Sequence, residues 1–185
     1  MKAGDTRIQA ARASLLIVDL QAGLLPVIHD GGTVLANAVW LMKIAARLDV
    51  PCVITEQYPA GLGVSAAEVL AAGEGATRVD KIHFSAVSDG VLAPTAVAQR
   101  PQVVVCGTES HVCVLQTVLD LAADGKAVFV VADAVGSRSP DDKALALARM
   151  RAAGITLVSR EMVAFEWLAR AGTEIFREIN QSFIR

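Results

Sequence analysis

The stretch Val103-Val104-Val105-Cys106-Gly107-Thr108-Glu109-Ser110-His111-Val112-Cys113-Val114-Leu115-Gln116-Thr117 decides the fold. Three consecutive β-branched residues read as a buried strand. Gly107 opens a turn, and Ser110 is placed to cap an apolar helix running to about Asp124. A strand that turns directly into a helix puts Cys113 in the first helical turn, at the carboxyl end of the strand. There the free N–H groups and the positive end of the helix dipole stabilise a thiolate. Packing is the competing reading, because cysteine is among the most buried residue types. The strand–turn–helix setting favours chemistry.

Outward from this centre, strands and helices alternate. Ser14 to Leu20 reads as a first buried strand containing Asp19, after a polar lead-in over residues 1–13. Thr33 to Leu48 has helical spacing, with Val34, Ala38, Leu41, Ile44 and Ala45 on one face. Pro51 to Thr55 is a second strand, followed by a loop from Glu56 to Gly63 and a short helix from Ser65 to Ala72. Thr77 to Ile82 is a weaker strand that delivers Lys81, and Val91 to Gln99 is a helix that Pro94 restricts. After the central unit, Ala127 to Ala132 is a strand ending at Asp133, and Ser139-Pro140 starts a helix running to Ala153. Ile155 to Val158 is a sixth strand, and Arg160 to Ala169 and Thr173 to Phe183 are closing helices. This alternation predicts right-handed βαβ units in a three-layer α/β/α sandwich around a mainly parallel six-stranded sheet. No linker or repeat divides residues 1–185, so one domain is expected.

Of the 185 residues, 54% are hydrophobic, yet no uncharged apolar run reaches the ~18 residues of a membrane span. The excess is mostly Ala and Val, as a sheet covered on both faces requires. Formal net charge is −2 with Lys and Arg scattered, which provides no electrostatic footprint for nucleic acid. Cys52, Cys106 and Cys113 form no CxxC and no metal-ligand spacing. Their odd number and the absence of a signal-peptide core predict free thiols in the cytoplasm. No GxGxxG or GxxxxGK[ST] is present, so a nucleotide role has no support.

In a parallel sheet, ligands bind at the carboxyl ends of the strands. Asp19, Lys81 and Cys113 are expected there, on three different strands. Taken singly, each has an ordinary explanation: a turn residue, a solvated lysine, a packed thiol. Together they supply a proton acceptor, a cation and a nucleophile, a complete set for covalent acyl transfer. Backbone N–H groups of the Thr108–Cys113 turn are the expected oxyanion donors. His111 lies two residues from Cys113, on another face if both are helical, and reads as a pocket or structural residue. Gln57, Tyr58 and Phe84 are the other candidate pocket residues, on loops beside the strand ends.

With Leu16-Ile17-Val18-Asp19-Leu20-Gln21, Lys81 with Phe84-Ser85, and Gly107 to Val114 in that order, the chain resembles the isochorismatase-like cysteine hydrolases from Ser14 to about Leu157. The resemblance implies a Rossmann-like α/β domain in which Asp19, Lys81 and Cys113 form the catalytic triad. It also implies a cis peptide between Thr108 and Glu109, which turns the Glu109 N–H toward the oxyanion alongside that of Cys113. Ser110 stands where the family more often has threonine. Nicotinamidases of this family carry a metal-binding aspartate and histidines after the second strand; Thr55-Glu56-Gln57-Tyr58-Pro59 has no Asp-x-His pair. No metal or other cofactor is therefore expected, and the segment Glu56 to Gly63 resembles a less characterised branch of the family. A thiol nucleophile also points away from vinyl-ether cleavage of isochorismate.

The expected activity is hydrolysis of a small-molecule amide or related acyl C–N bond through a thioester. The alternatives are a scaffold protein with a relic site and a redox-sensing thiol protein. Family resemblance implies a homo-oligomer, for which Phe165, Trp167, Leu168, Ile175, Phe176, Ile179 and Phe183 offer apolar helix faces; covering the sheet is their other possible use.

Overall fold

Runs rich in Val, Ile and Leu pair side by side because their branched side chains fit a pleated surface that is buried on both faces. The computed structural model describes residues 7–184. In chain order the elements are β1 (Ala13–Val18), α1 (Gly31–Arg47), β2 (Cys52–Gln57), α2 (Pro59–Leu62), α3 (Ala67–Ala72), β3 (Thr77–Lys81) and α4 (Ala96–Gln99). There follow β4 (Gln102–Thr108), α5 (Leu115–Ala123), β5 (Ala127–Gly136), α6 (Pro140–Ala152), β6 (Thr156–Val158), α7 (Arg160–Leu168) and α8 (Glu174–Ile179). The six strands form one sheet in the order β3-β2-β1-β4-β5-β6, every pair parallel.

Strand alternation divides the core into two layers. Leu15, Ile17, Val104, Cys106, Phe129 and Val131 pack with α1, α7 and Ile179 of α8. Leu16, Val18, Val103, Val105, Val128 and Val130 pack with α4, α5 and α6. The chain winds outward from β1 through β2 and β3, then restarts at β4 on the other side of β1. The crevice between the ends of β1 and β4 is the switch point where such sheets hold ligands.

At that crevice the backbone leaves the regular pattern. Gly107 is the penultimate residue of β4, not the opening of a turn, and its φ is +131°. A Cβ there would meet the Val18 carbonyl oxygen at 2.0 Å, so only glycine lets β4 approach β1 this closely. On the other side of β4, the two-residue step from Val105 to Gly107 is matched by five residues of β5, from Val130 to Val135. β5 therefore runs past Asp133 to Gly136. The Asp133 carboxylate turns to α7, accepting a 2.9 Å hydrogen bond from the Arg160 N–H.

Other expectations change at the element ends. Ser110 is not an N-cap: residues Ser110–Val114 form a π turn, and the α-helix begins at Leu115. Cys113 thus sits in a π turn, ahead of the helix rather than in its first α-helical turn. The helix expected over 91–99 contracts to Ala96–Gln99, capped by Thr95, because Pro94 disfavours helical geometry at the residue before it. Residues 1–6 of the expected polar lead-in lie outside the described residues. Ile8 is buried, and Gln9 and Ala10 bond to Gln102 and Arg100 at the base of the sheet. Of the apolar C-terminal side chains, Trp167, Leu168, Ile175, Phe176, Ile179 and Phe183 belong to the α1 side of the core; Phe165 is exposed.

Gly107→Ala drives a methyl group into β1. It should destabilise the fold by more than about 2 kcal/mol and displace Asp19, which follows Val18 directly. Denaturant unfolding is the measurement; a loss below about 0.5 kcal/mol would show that β4 can withdraw from β1 without penalty.

Candidate active site

Asp19 follows β1 in the left-handed conformation, with φ of +51°. Simple alternation would send its side chain after Ile17 to the α1 face of the sheet. The left-handed turn breaks that alternation and brings the carboxylate to Thr55, whose hydroxyl donates a 2.6 Å hydrogen bond to Asp19 Oδ1. The Asp19 main chain is held from both sides. Its N–H donates to the Thr55 carbonyl at 3.1 Å, and its carbonyl accepts from the Thr108 hydroxyl at 2.7 Å. Aspartate tolerates the left-handed region better than most residues, so the strain falls on a side chain able to bear it.

Lys81, the last residue of β3, reaches back over β2. Its Nζ lies 2.8 Å from Asp19 Oδ2, and both side chains are 0% exposed. The ammonium also donates to Gln57 Oε1 at 2.6 Å and to the Phe84 carbonyl at 3.1 Å. A charge taken this far out of water is stable only with such a full set of acceptors.

Cys113 is buried, and the charges of Asp19 and Lys81 both act on its thiol. Its Sγ also lies 3.9 Å from Gln57 Oε1. The acid, the amine and the sulfur therefore meet at one rim of the sheet, and the Thr108–Glu109 peptide bond beside them is cis. The other two thiols are differently placed. Cys106 belongs to the opposite layer of the core. Cys52 opens on a hollow of about 380 Å³ at the amino ends of the strands, which Asp49 and Glu74 line without a basic side chain.

The electrostatics run against the expected stabilisation of a thiolate. Burial, followed by the Asp19 charge, pushes the Cys113 thiol up to about 12, and the opposing pull of Lys81 does not compensate. Burial also raises the Asp19 carboxyl above its ordinary value, against the lowering effects of Lys81, Thr55 and Cys113. The resting site thus holds a neutral thiol beside a carboxylate more basic than usual.

Gln57 is buried and touches both Lys81 and Cys113, whereas Tyr58 and Phe84 are about half exposed at the rim. Phe84 meets the triad through its carbonyl. His111 turns away from the sulfur: Nδ1 pairs with Ser137 Oγ at 3.0 Å, and Nε2 lies 3.9 Å from Asp142 at the start of α6. It ties the π turn to Ser137 and the start of α6. The Glu109 side chain pairs with Arg138. Glu56 accepts a hydrogen bond from the Ser65 N–H, and no group of three or more His, Cys, Asp or Glu able to hold a metal occurs among the described residues.

Sequence reasoning missed two supporting residues. Thr55 was legible as a hydroxyl in an otherwise aliphatic strand. Gln21 brackets Gln57: its Oε1 accepts from the Gln57 N–H at 2.8 Å, and its Nε2 donates to the Gln57 carbonyl at 3.0 Å. The same Nε2 bonds to the Gly63 carbonyl and so anchors the rim loop.

Comparison with known proteins gives a consistent result. A family model described as the isochorismatase domain matches residues 13–162. Isochorismatase domain-containing protein 2 of Danio rerio is 36% identical over 180 residues, covering 97% of this chain and 90% of that protein. The structure of MAR1 ribonuclease from Caenorhabditis elegans superposes with a TM-score of 0.88 at 30% identity, covering 97% of this chain and 93% of its own. The YcaC gene product of Escherichia coli, described as an octameric hydrolase of unknown specificity, superposes with a TM-score of 0.88 at 25% identity, covering 97% and 91%. No helix among the described residues is long and apolar enough to cross a membrane.

Two measurements check the electrostatics. Lys81→Met leaves the Asp19 carboxylate buried without its cation, at a cost of about 3–5 kcal/mol at pH 8. Loss of the ammonium raises the folded-state pKa of Asp19 further above its unfolded value. Stability is then greatest at low pH and is lost as pH rises through the folded value. Urea unfolding at pH 5 and pH 8 should show a smaller deficit at pH 5; an equal deficit at both would remove the buried charge as its cause. For the thiol, alkylation of Cys113 by iodoacetamide, followed on its own peptide by mass spectrometry, should rise continuously from pH 6 to pH 9.5. A plateau near neutrality would mean that a thiolate already exists at rest.

Proposed function

The chain belongs to the isochorismatase family, and from that premise we propose that it is a cysteine-dependent hydrolase of a small-molecule amide or related acyl C–N bond. The observation that carries this reading is the buried Asp19–Lys81 pair, 2.8 Å apart, beside a Gln57 Oε1 that lies 2.6 Å from the ammonium and 3.9 Å from the Cys113 sulfur. The thiol proton passes to the Asp19 carboxylate as Sγ forms a bond to the substrate carbonyl carbon, and the C=O π electrons move onto oxygen. The N–H groups of Glu109 and Cys113 stabilise that oxyanion. Collapse breaks the C–N bond, the leaving nitrogen takes the proton from Asp19, and a thioester remains. Asp19 then accepts a proton from water as the water oxygen attacks the thioester. The C–S bond breaks, the acid departs, and the proton returns to sulfur. Lys81 keeps its charge throughout and holds the carboxylate in place.

A neutral resting thiol is compatible with this cycle because the proton moves in the same step as the attack. A carboxyl raised by burial is a stronger base than an exposed one, which narrows the gap to the thiol. No metal and no other cofactor takes part in this reading.

Steady-state turnover of a panel of amides, ureas and hydroxamates tests it, with release of the amine or ammonia as the signal. Cys113→Ala and Asp19→Asn should each reduce kcat/KM by about 10³ or more, and the double variant should fall little further, as groups that act as one unit do. Turnover undiminished in Cys113→Ala would overturn the thioester mechanism. Complete inactivity of the wild type across the panel would favour a scaffold role.

A further inference from the structure

The orientation of the Gln57 carboxamide is settled by its neighbours. Nε2 donates to the Ile82 carbonyl at 2.7 Å, and Oε1 accepts from the Lys81 ammonium at 2.6 Å. Reversing the amide would set an NH2 group against the ammonium and a carbonyl against a carbonyl, so the oxygen must face the site. Gln57 is also held by its backbone, through the paired hydrogen bonds to Gln21. An amide oxygen has two acceptor directions, and Lys81 fills one. The other lies on the side of Cys113, whose sulfur is 3.9 Å from Oε1. When the thiol proton leaves, this buried acceptor loses the thiol as a donor on that side.

We infer that Gln57 is a specificity-determining residue whose Oε1 accepts a hydrogen bond from the nitrogen of the scissile group, so that the site selects carboxamides bearing an N–H. The inference rests on the thioester hydrolase reading above and adds the substrate class to it. In the tetrahedral intermediate, both the oxyanion and the leaving nitrogen are two bonds from the sulfur. An acceptor repels the oxyanion and attracts an N–H. Gln57 Oε1 therefore directs the nitrogen to the β2–β3 side, and leaves the oxygen to the donors of the Thr108–Cys113 turn. An ester, or a tertiary amide without N–H, places no donor against Oε1 and leaves a buried acceptor unpaired. That loss is a basis for selection stronger than shape alone.

The test uses two alkylating probes, 2-chloroacetamide and 2-chloro-N,N-dimethylacetamide, whose nitrogens approach within reach of the same acceptor as sulfur attacks the chloromethyl carbon and expels chloride. Rates at Cys113 are measured at pH 9 on its own peptide and divided by the rates with glutathione, which removes intrinsic reactivity. The wild type should favour the N–H-bearing probe by about five- to tenfold over glutathione. Gln57→Met keeps the side-chain length without an acceptor and should abolish the preference, while Gln57→Glu keeps an acceptor and should retain it. A residue that only supports the fold would change both rates by the same factor and leave the ratio untouched. A wild-type ratio equal to that of glutathione would overturn the inference, and this measurement needs no variant. If Cys113 reacts with both probes and shows no preference, the hydrolase reading stands and the role of Gln57 falls. If Cys113 reacts with neither probe faster than Cys52 and Cys106 do, both fall.

Discussion

One ion pair governs the architecture of this molecule: a carboxylate and an ammonium held 2.8 Å apart with no access to water. Removing two such charges from water costs several kcal/mol each, and their mutual attraction repays that only with further hydrogen bonds. Those bonds come from β2 and from the segment that follows β3. Thr55 of β2 serves the carboxylate, Gln57 of β2 serves the ammonium, and the Phe84 carbonyl beyond β3 completes the set. Asp19 reaches this arrangement only by leaving strand geometry at once after Val18, and Gly107 is the residue that lets β4 close against that point. A fold optimised only for stability would place an aliphatic pair here. Retaining charges at this cost is expected where they are needed for chemistry.

The sheet was legible because its signal is redundant. Leu15 to Val18, Val103 to Val105 and Val128 to Val131 are apolar on both faces, a pattern that a parallel strand covered by helices requires. Of the three residues expected at the rim, Asp19 directly follows such a run and Cys113 lies in the turn after another, whereas Lys81 ends β3, a largely exposed strand with a weaker signal. Features that depend on contacts between distant segments were not legible. Nothing in Ser110 to Val114 distinguishes a π turn from the first turn of an α-helix, because both bury the same apolar side chains. The extension of β5 past Asp133 arises from the mismatch with β4, and no local propensity encodes it. Gln21 stands just past the expected first strand, yet its amide links the β1 rim to β2 across 36 residues of sequence.

The thiol shows why a motif alone misleads on electrostatics. A helix start and a neighbouring lysine both argue for a low pKa, but they act on a sulfur that is buried and faces a carboxylate. At a thiol pKa of about 12, full ionisation at pH 7 would cost about 7 kcal/mol. In the proposed cycle the proton moves in concert with attack, so sulfur never carries a full charge. The raised basicity of Asp19 serves the same end, and it has the same origin: the dry environment that suppresses the thiolate strengthens its base.

The rim itself has a buried part and an exposed part. The charged pair, Gln57 and the sulfur are buried and mutually constrained, so a change in one alters all. Tyr58, Ile82 and Phe84 extend from the ends of β2 and β3 with more than half of their surface exposed. Their main chains are nonetheless held close to the site: the Tyr58 N–H bonds to the Lys81 carbonyl, the Ile82 carbonyl receives Gln57, and the Phe84 carbonyl receives Lys81. These side chains can change in size and shape while the carbonyls that serve the triad remain in place. The rim thus joins a buried polar floor, fixed by main-chain and side-chain hydrogen bonds, to exposed side chains that those bonds do not restrain.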